Sequence, residues 1–176
     1  LSEKILSSQQ IFKGKILTVK LDHVLLENGH RSTREVVFHP GAVAVLPVLE
    51  DGNLVLVKQF RYPIGMELLE VPAGKLDEGE SPEQCAKREL EEETGYKAEK
   101  IEFLGYIFTT PGFSNEKIYL YTAENLIKTQ QKLDHDEILK IQILKASEVI
   151  TMALNGEIVD AKTLAIIFLA KEKGVI

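Results

Sequence analysis

Two runs of nearly unbroken aliphatic and β-branched residues, 42–48 (Ala-Val-Ala-Val-Leu-Pro-Val) and 54–60 (Leu-Val-Leu-Val-Lys-Gln-Phe), constrain the fold of this chain more than any other feature. A strand with one face in water alternates apolar and polar residues. A strand without alternation belongs to a sheet covered on both faces. The Asp51-Gly52-Asn53 turn between the runs predicts that they pair as a hairpin. Ahead of them, Val24-Leu25-Leu26 and Arg34-Glu35-Val36-Val37-Phe38 flank Glu27-Asn28-Gly29-His30, and Asn-Gly tolerates the positive φ of a tight hairpin turn, so residues 11–39 read as strands. Residues 81–94 read as a helix: Ser81 caps it, Pro82 suits its first turn, Gln84 completes a capping box and Gly95 stops it. Strands follow at 100–108 and 117–123, a polar loop at 126–137, and a strand at 138–144. A short helix at 147–154 ends at Asn155-Gly156. A last helix after Asp160 places Leu164, Ile167 and Phe168 on its buried stripe. The expectation is an α/β (α+β) domain over residues 41–176, an α/β/α sandwich with a mixed sheet, preceded by a small β element over residues 1–40.

Charge sets the next limit. The net charge of -6 and the pI near 5.3 argue against nucleic acid as a partner, because that role needs a basic face. No apolar run is long enough to span a membrane. The single cysteine, Cys85, cannot form an internal disulfide and reads as a small buried helix residue, so a cytoplasmic location is expected. An acidic protein that handles an anionic substrate needs cations to intervene.

The helix at 81–94 supplies a place for them. Glu89, Glu92 and Glu93 fall within about a 100° sector of the helix, while Glu91 points the other way. Like charges at this spacing repel by a few tenths of a kcal/mol per pair. Anions at a helix C-terminus lose roughly a further 0.3–1 kcal/mol each. A solvated acidic face is one explanation. A bound divalent cation is the other, since Mg²⁺ and Mn²⁺ prefer hard carboxylate oxygens.

Read outward, the helix lies in a longer pattern, Gly74-(five residues)-Glu80-(seven residues)-Arg88-Glu89-Leu90-Glu91-Glu92-Glu93-Thr94-Gly95-Tyr96. It resembles the Nudix box, G-x5-E-x7-R-E-U-x-E-E-x-G-U with U apolar. The seven fixed positions, Gly74, Glu80, Arg88, Glu89, Glu92, Glu93 and Gly95, all match, an event of chance on the order of 10⁻⁶ or less at average residue frequencies. Tyr96 is bulkier than the usual last apolar residue. The resemblance implies a Mg²⁺- (or Mn²⁺-) dependent pyrophosphohydrolase in which Glu89, Glu93, Glu92 and the Ala73 carbonyl face the metal. Gly74 would let the strand turn into the loop, and Arg88, with Glu80 as its partner, would orient the carboxylates.

Flanking segments are similar to the ADP-ribose pyrophosphatase branch: Arg34-Glu35-Val36-Val37 before Pro40-Gly41-Ala42, Val57-Lys58-Gln59-Phe60-Arg61 before Val71-Pro72-Ala73-Gly74, Pro111 sixteen residues after Gly95, and Asp160-Ala161-Lys162-Thr163. The branch implies a nucleoside diphosphate sugar substrate, ADP-ribose first, cleaved to AMP and ribose 5-phosphate. Arg34 and Arg61 are candidates for its phosphates. The general base is expected from the acidic loop after the box, with Asp134 or Asp136 ahead of Glu137. Each aspartate is a methylene shorter than the glutamate often found there. Members of this branch are commonly homodimers that exchange N-terminal strands, and Phe12 could then help hold adenine. The competing readings are a pyrophosphatase for GDP-mannose or another ADP-sugar, and a non-catalytic nucleotide-binding module.

Overall fold

The computed structural model describes every residue except Leu1, Asp134 and Asp136. Its chain divides into two compact units, residues 1–41 with 108–117, and residues 42–107 with 118–176.

The first unit is a three-stranded antiparallel meander of β1 (Glu3–Lys13), β2 (Thr18–Leu26) and β3 (Arg31–Phe38). Strand structure begins at Glu3, eight residues before the first strand the sequence indicates. The cause is visible in β1: all eleven of its residues are exposed, so no burial pattern marks it, and cross-strand hydrogen bonds to β2 make the strand. The segment 108–117 joins this unit through Val37, whose N–H donates to Phe113 O (2.8 Å) and whose carbonyl accepts from Asn115 N (3.2 Å).

The second unit contains β4 (Ala42–Pro47), β5 (Asn53–Arg61), β6 (Met66–Glu70), β7 (Ala73–Lys75), α1 (Pro82–Thr94), β8 (Tyr96–Phe108), β9 (Lys117–Lys128), β10 (Leu139–Lys145), α2 (Ala146–Leu154) and α3 (Ala161–Glu172). The tips of β8 and β9 belong to the first unit. A four-stranded sheet runs β7-β4-β9-β8, with β4 antiparallel to β7 and parallel to β9, and a three-stranded antiparallel sheet runs β10-β5-β6. β4 is buried along its whole length. Its two faces enter separate cores: Ala42, Ala44 and Leu46 pack with residues of α2 and α3, and Val43 and Val45 pack with Cys85, Ala86 and Leu90 of α1. Helices therefore cover both faces of the mixed sheet, an α/β/α arrangement. Each fully buried aliphatic side chain contributes about 1.5–3 kcal/mol to it.

The expected hairpin of residues 42–48 and 54–60 does not form. The turn closes, with Leu49 N donating to Asn53 O and Gly52 N to Leu49 O (both 2.9 Å), but a single bridge, Val48 to Leu54, joins the two runs before they part into different sheets. Both are apolar on both faces, so hydrophobic pattern cannot say which edges pair, and Pro47 offers no N–H at the critical point. β9 also continues through Lys128, into what reads as loop. On α3 the buried face is Lys162, Thr163, Ile166, Ile167 and Ala170, while Phe168 is exposed. Residues 164–170 are all apolar, so the sequence carries no periodicity to choose a face. Among the described residues no helix is long and apolar enough to cross a membrane.

Candidate active site

α1 forms as its punctuation dictates. Ser81 Oγ accepts from Gln84 N, the Gln84 side chain accepts from Ser81 N, and Gly95 takes the left-handed conformation (φ 68°) with its N–H on Glu91 O. The carbonyls a helix C-terminus leaves unpaired are taken by the chain that follows β9: Thr129 N donates to Gly95 O (2.7 Å), Gln131 Nε2 to Glu93 O (2.6 Å) and Lys132 N to Glu92 O (3.0 Å). A side chain at Gly95 would also strike this segment, its Cβ falling 2.8 Å from Gln131 N. These bonds relieve the negative end of the helix and fix the start of the acidic loop beside the glutamates.

Glu89 and Glu93 are buried and Glu92 is half-buried. Arg88 lies among the carboxylates. Its Nε and Nη2 fork onto Glu80 (2.9 and 2.8 Å), and its Nη1 donates to both Glu89 Oε1 (2.6 Å) and Glu92 Oε2 (3.0 Å). The fork holds Glu80 down at about 2. Among the described residues Glu93 has no such partner, and its carboxylate accepts from the Ala73 N–H at Oε2 (3.1 Å). Burial pushes its carboxyl up to about 8, and the Glu89 and Glu137 charges add to that. Burial raises Glu89 as well, against the pull of Arg88 and with further push from Glu92 and Glu137. Among the described residues no three acidic, histidine or cysteine side chains converge on one point, and the guanidinium Nη1 stands between Glu89 and Glu92.

Gly74 has a different task from the expected turn. It lies inside β7, and a Cβ there would sit 1.9 Å from the Glu89 carboxyl carbon. Glycine is required so that the carboxylate can lie against the strand, not for backbone freedom. This cradle, the buried hard oxygens of Glu89 and Glu93, and one guanidinium shared by Glu80, Glu89 and Glu92 all fit a divalent cation, which would supply the missing positive charge.

A family model described as the NUDIX domain matches residues 38–165, and one described as the nucleoside diphosphate sugar hydrolase N-terminal domain matches residues 3–37. The chain belongs to the Nudix family of pyrophosphohydrolases. Among its relatives, the ADP-ribose pyrophosphatase of Bacillus subtilis (strain 168) is 43% identical over 165 residues, covering 93% of this chain and 89% of that protein. The methanol dehydrogenase activator of Bacillus methanolicus is 43% identical over 163 residues, covering 92% and 88%. A crystal structure of an ADP compounds hydrolase shares the fold with TM-score 0.87 at 24% identity, covering 99% of this chain and 96% of that one.

Glu137 is exposed, and its charge reaches both Glu89 and Glu93, whereas Asp134 and Asp136 lie outside the described residues. Arg61, at the end of β5, forks onto the fully buried Glu70 (Nε to Oε1 2.7 Å, Nη2 to Oε2 2.6 Å), and its charge acts on Glu93. Arg34, Phe12 and Pro111 belong to the first unit. There Arg34 forks onto Glu3 (3.0 and 2.6 Å), Phe12 is exposed with its ring against Gly14, and Pro111 follows Thr110, whose carbonyl accepts from Phe113 and Ser114. Sequence reasoning gave Glu70 no role, although a lone charge in Leu68-Leu69-Glu70-Val71 is itself a signal. It noted Asp160-Ala161-Lys162-Thr163 only as a likeness. In the fold Lys162 Nζ bonds Glu70 and lies 3.0 Å from Asp160.

Proposed function

We propose that this chain hydrolyses the diphosphate of ADP-ribose to AMP and ribose 5-phosphate, with Mg²⁺ or Mn²⁺ held by Glu89, Glu92 and Glu93 and the Ala73 carbonyl. The carrying observation is the surplus of buried carboxylate on one face of α1, where burial pushes Glu93 up to about 8 and no cation among the described residues forms an ion pair with it. A divalent cation bound there supplies neutralising charge for the diphosphate and acidifies water. The chain's own groups do the rest. Ala73 N–H and the Gly74 cradle fix where Glu93 and Glu89 present their oxygens. Arg88 keeps its fork on Glu80 while its Nη1 yields Glu89 and Glu92. Arg61, held through Nε and Nη2, has Nη1 for a phosphate oxygen. A carboxylate of the loop after β9 takes a proton from the attacking water: Glu137 is the candidate whose charge already reaches the site, with Asp134 and Asp136 beside it in sequence. One water is consumed as one P–O bond of the bridge breaks.

Arg34, Pro111 and Phe12 would contribute phosphate and adenine contacts from the first unit, in a cytoplasmic homodimer that joins through the N-terminal element (residues 1–40), whose β1 leaves Ile5, Ile11 and Phe12 exposed. The 41–176 segment would carry the chemistry. Likeness to an ADP-ribose pyrophosphatase over nearly the whole chain supports the substrate.

The test is phosphate release in a phosphatase-coupled assay with Mg²⁺, across ADP-ribose, ADP-glucose, GDP-mannose, NADH and 8-oxo-dGTP. Preference for ADP-ribose that EDTA abolishes is the expected result. Turnover of another nucleotide sugar alone would keep the chemistry and replace the substrate. Folded protein inactive on all of them with metal present would favour a binding module.

A further inference from the structure

Arg61, Glu70, Asp160 and Lys162 form a second charged cluster in the same unit as α1. Glu70 is fully buried at the end of β6, and both its oxygens are engaged: Oε1 accepts from Arg61 Nε, Oε2 from Arg61 Nη2 and from Lys162 Nζ. Burial opposes ionisation of Glu70, but Arg61 and Lys162 outweigh it and hold the carboxyl below its ordinary range. Asp160 balances the lysine at 3.0 Å. Two cations thus meet two carboxylates from three separate elements.

Attachment of α3 does not need the lysine. Asp160 caps the helix, accepting from Thr163 N (3.0 Å) and Oγ1 (2.6 Å), and Thr163 Oγ1 accepts from Val71 N (3.0 Å), which ties the helix to the chain leaving β6. A buried ion pair is seldom more stabilising than apolar side chains of equal volume, so helix docking leaves the choice of lysine unexplained. Its placement accounts for it. Arg61 alone could swing with a carboxylate that pivots about its last bond. A second cation on Oε2, arriving from α3, pins the carboxylate, and with it the arginine fork. Three residues beyond Glu70, Ala73 N–H holds Glu93, so one short stretch of chain sets both the arginine and the buried carboxylate it faces.

We propose that Lys162 is a positioning residue for substrate binding: from α3 it clamps Glu70, which holds the Arg61 guanidinium so that Nη1, unbonded among the described residues, meets the substrate's diphosphate. This rests on the reading of Arg61 as a phosphate ligand given above. Because such an arginine contacts the phosphate in the bound state and the transition state alike, loosening it changes KM more than kcat.

The experiment compares the full-length parent protein with Lys162→Met, Asp160→Asn/Lys162→Met and Arg61→Ala in steady-state hydrolysis of ADP-ribose with Mg²⁺, alongside thermal melts. Lys162→Met should raise KM about tenfold, the scale of one charged hydrogen bond, with kcat within about threefold of the parent. The double variant removes opposite charges together and keeps a capping side chain, so it should recover the melting temperature yet retain the raised KM. Recovery of KM together with stability, or a KM for Lys162→Met within about twofold of the parent, would overturn the positioning role and leave a packing role. Arg61→Ala separates the two readings. If it raises KM while Lys162→Met does not, only the lysine inference fails; if Arg61→Ala leaves KM unaltered, the arginine reading fails and takes the inference with it. A parent protein that turns over only another nucleotide sugar shows the substrate reading to be wrong beforehand, and the same KM comparison is then made on that sugar.

Discussion

Around Arg88 one guanidinium serves Glu80, Glu89 and Glu92, with Glu93 buried nearby, and all of these residues lie within 74–96. Around Glu70 two cations and two carboxylates arrive from β5, β6 and the start of α3. Burial raises Glu89 and Glu93, and neighbouring carboxylates add to it; burial opposes ionisation of Glu70 as well, but there Arg61 and Lys162 outweigh it and lower the carboxyl. Both lie in one unit and bury similar groups. The difference teaches what each is for. On the proposed reading, the cluster with surplus carboxylate takes a cation, and the balanced one holds a shape.

Breaking each cluster should therefore have a different signature. The largest effect is on turnover. Glu93→Gln should lower kcat by at least about 10²-fold, the scale of losing one preorganised charge at a reacting centre, with the circular dichroism of the parent. Undiminished turnover would remove Glu93 from the site. The same variant sharpens the comparison through pH. The folded protein holds a proton on Glu93 up to about 8 where the unfolded chain releases it near 4.5. Metal-free stability should thus fall as pH rises through that window. In EDTA, Glu93→Gln should melt higher than the parent by a margin that is larger at pH 8.5 than at pH 5. A margin independent of pH would show that the carboxyl is not raised.

Next comes the balanced cluster. Glu70→Ala leaves Arg61 and Lys162 without their shared carboxylate and should cost about 3–5 kcal/mol in denaturant unfolding. A loss under about 1 kcal/mol, the level of a surface pair, would show that the cluster is not closed to solvent. Gly74→Ala forces a methyl into the Glu89 carboxylate. It should cost about 1–3 kcal/mol and lower Mg²⁺ affinity about 10–100-fold; an unchanged metal titration would mean that Glu89 need not lie against β7. The smallest effect is at the far end of α1, where Ser81→Ala removes a capping bond and should cost about 1 kcal/mol while KM for metal and substrate stay put. A shift in either would mean that the helix start also shapes the site.

Residues 74–96 were legible because the signals that mark them are local. Ser81 and Gln84 cap within one turn, Gly95 stops the helix, and Glu89, Glu92 and Glu93 share a face by the helical repeat alone. The two central strands were also legible, since length and β-branching mark 42–48 and 54–60 wherever they pair, whereas the short β6 and β7 were not read. What each pairs with was not: β4 and β5 are neighbours in sequence and lie in different sheets. β1, exposed throughout, and Phe168, in a run apolar on every face, carried no periodic signal to be read.

By itself, then, the sequence determined that this chain carries a capped helix with surplus carboxylate on one face, inside a sheet protein covered on both sides, and the seven fixed positions from Gly74 to Gly95 carried the resemblance to the Nudix family. The tertiary structure decided that Gly74 is a cradle and not a turn, that residues 129–132 close the end of α1, and that Lys162 and Arg61 meet on one buried carboxylate. The physical reason is range. Helical repeat, capping and burial pattern act within a few residues and leave their mark in local order, whereas charge balance in a buried cluster depends on distance in space, which local order does not encode.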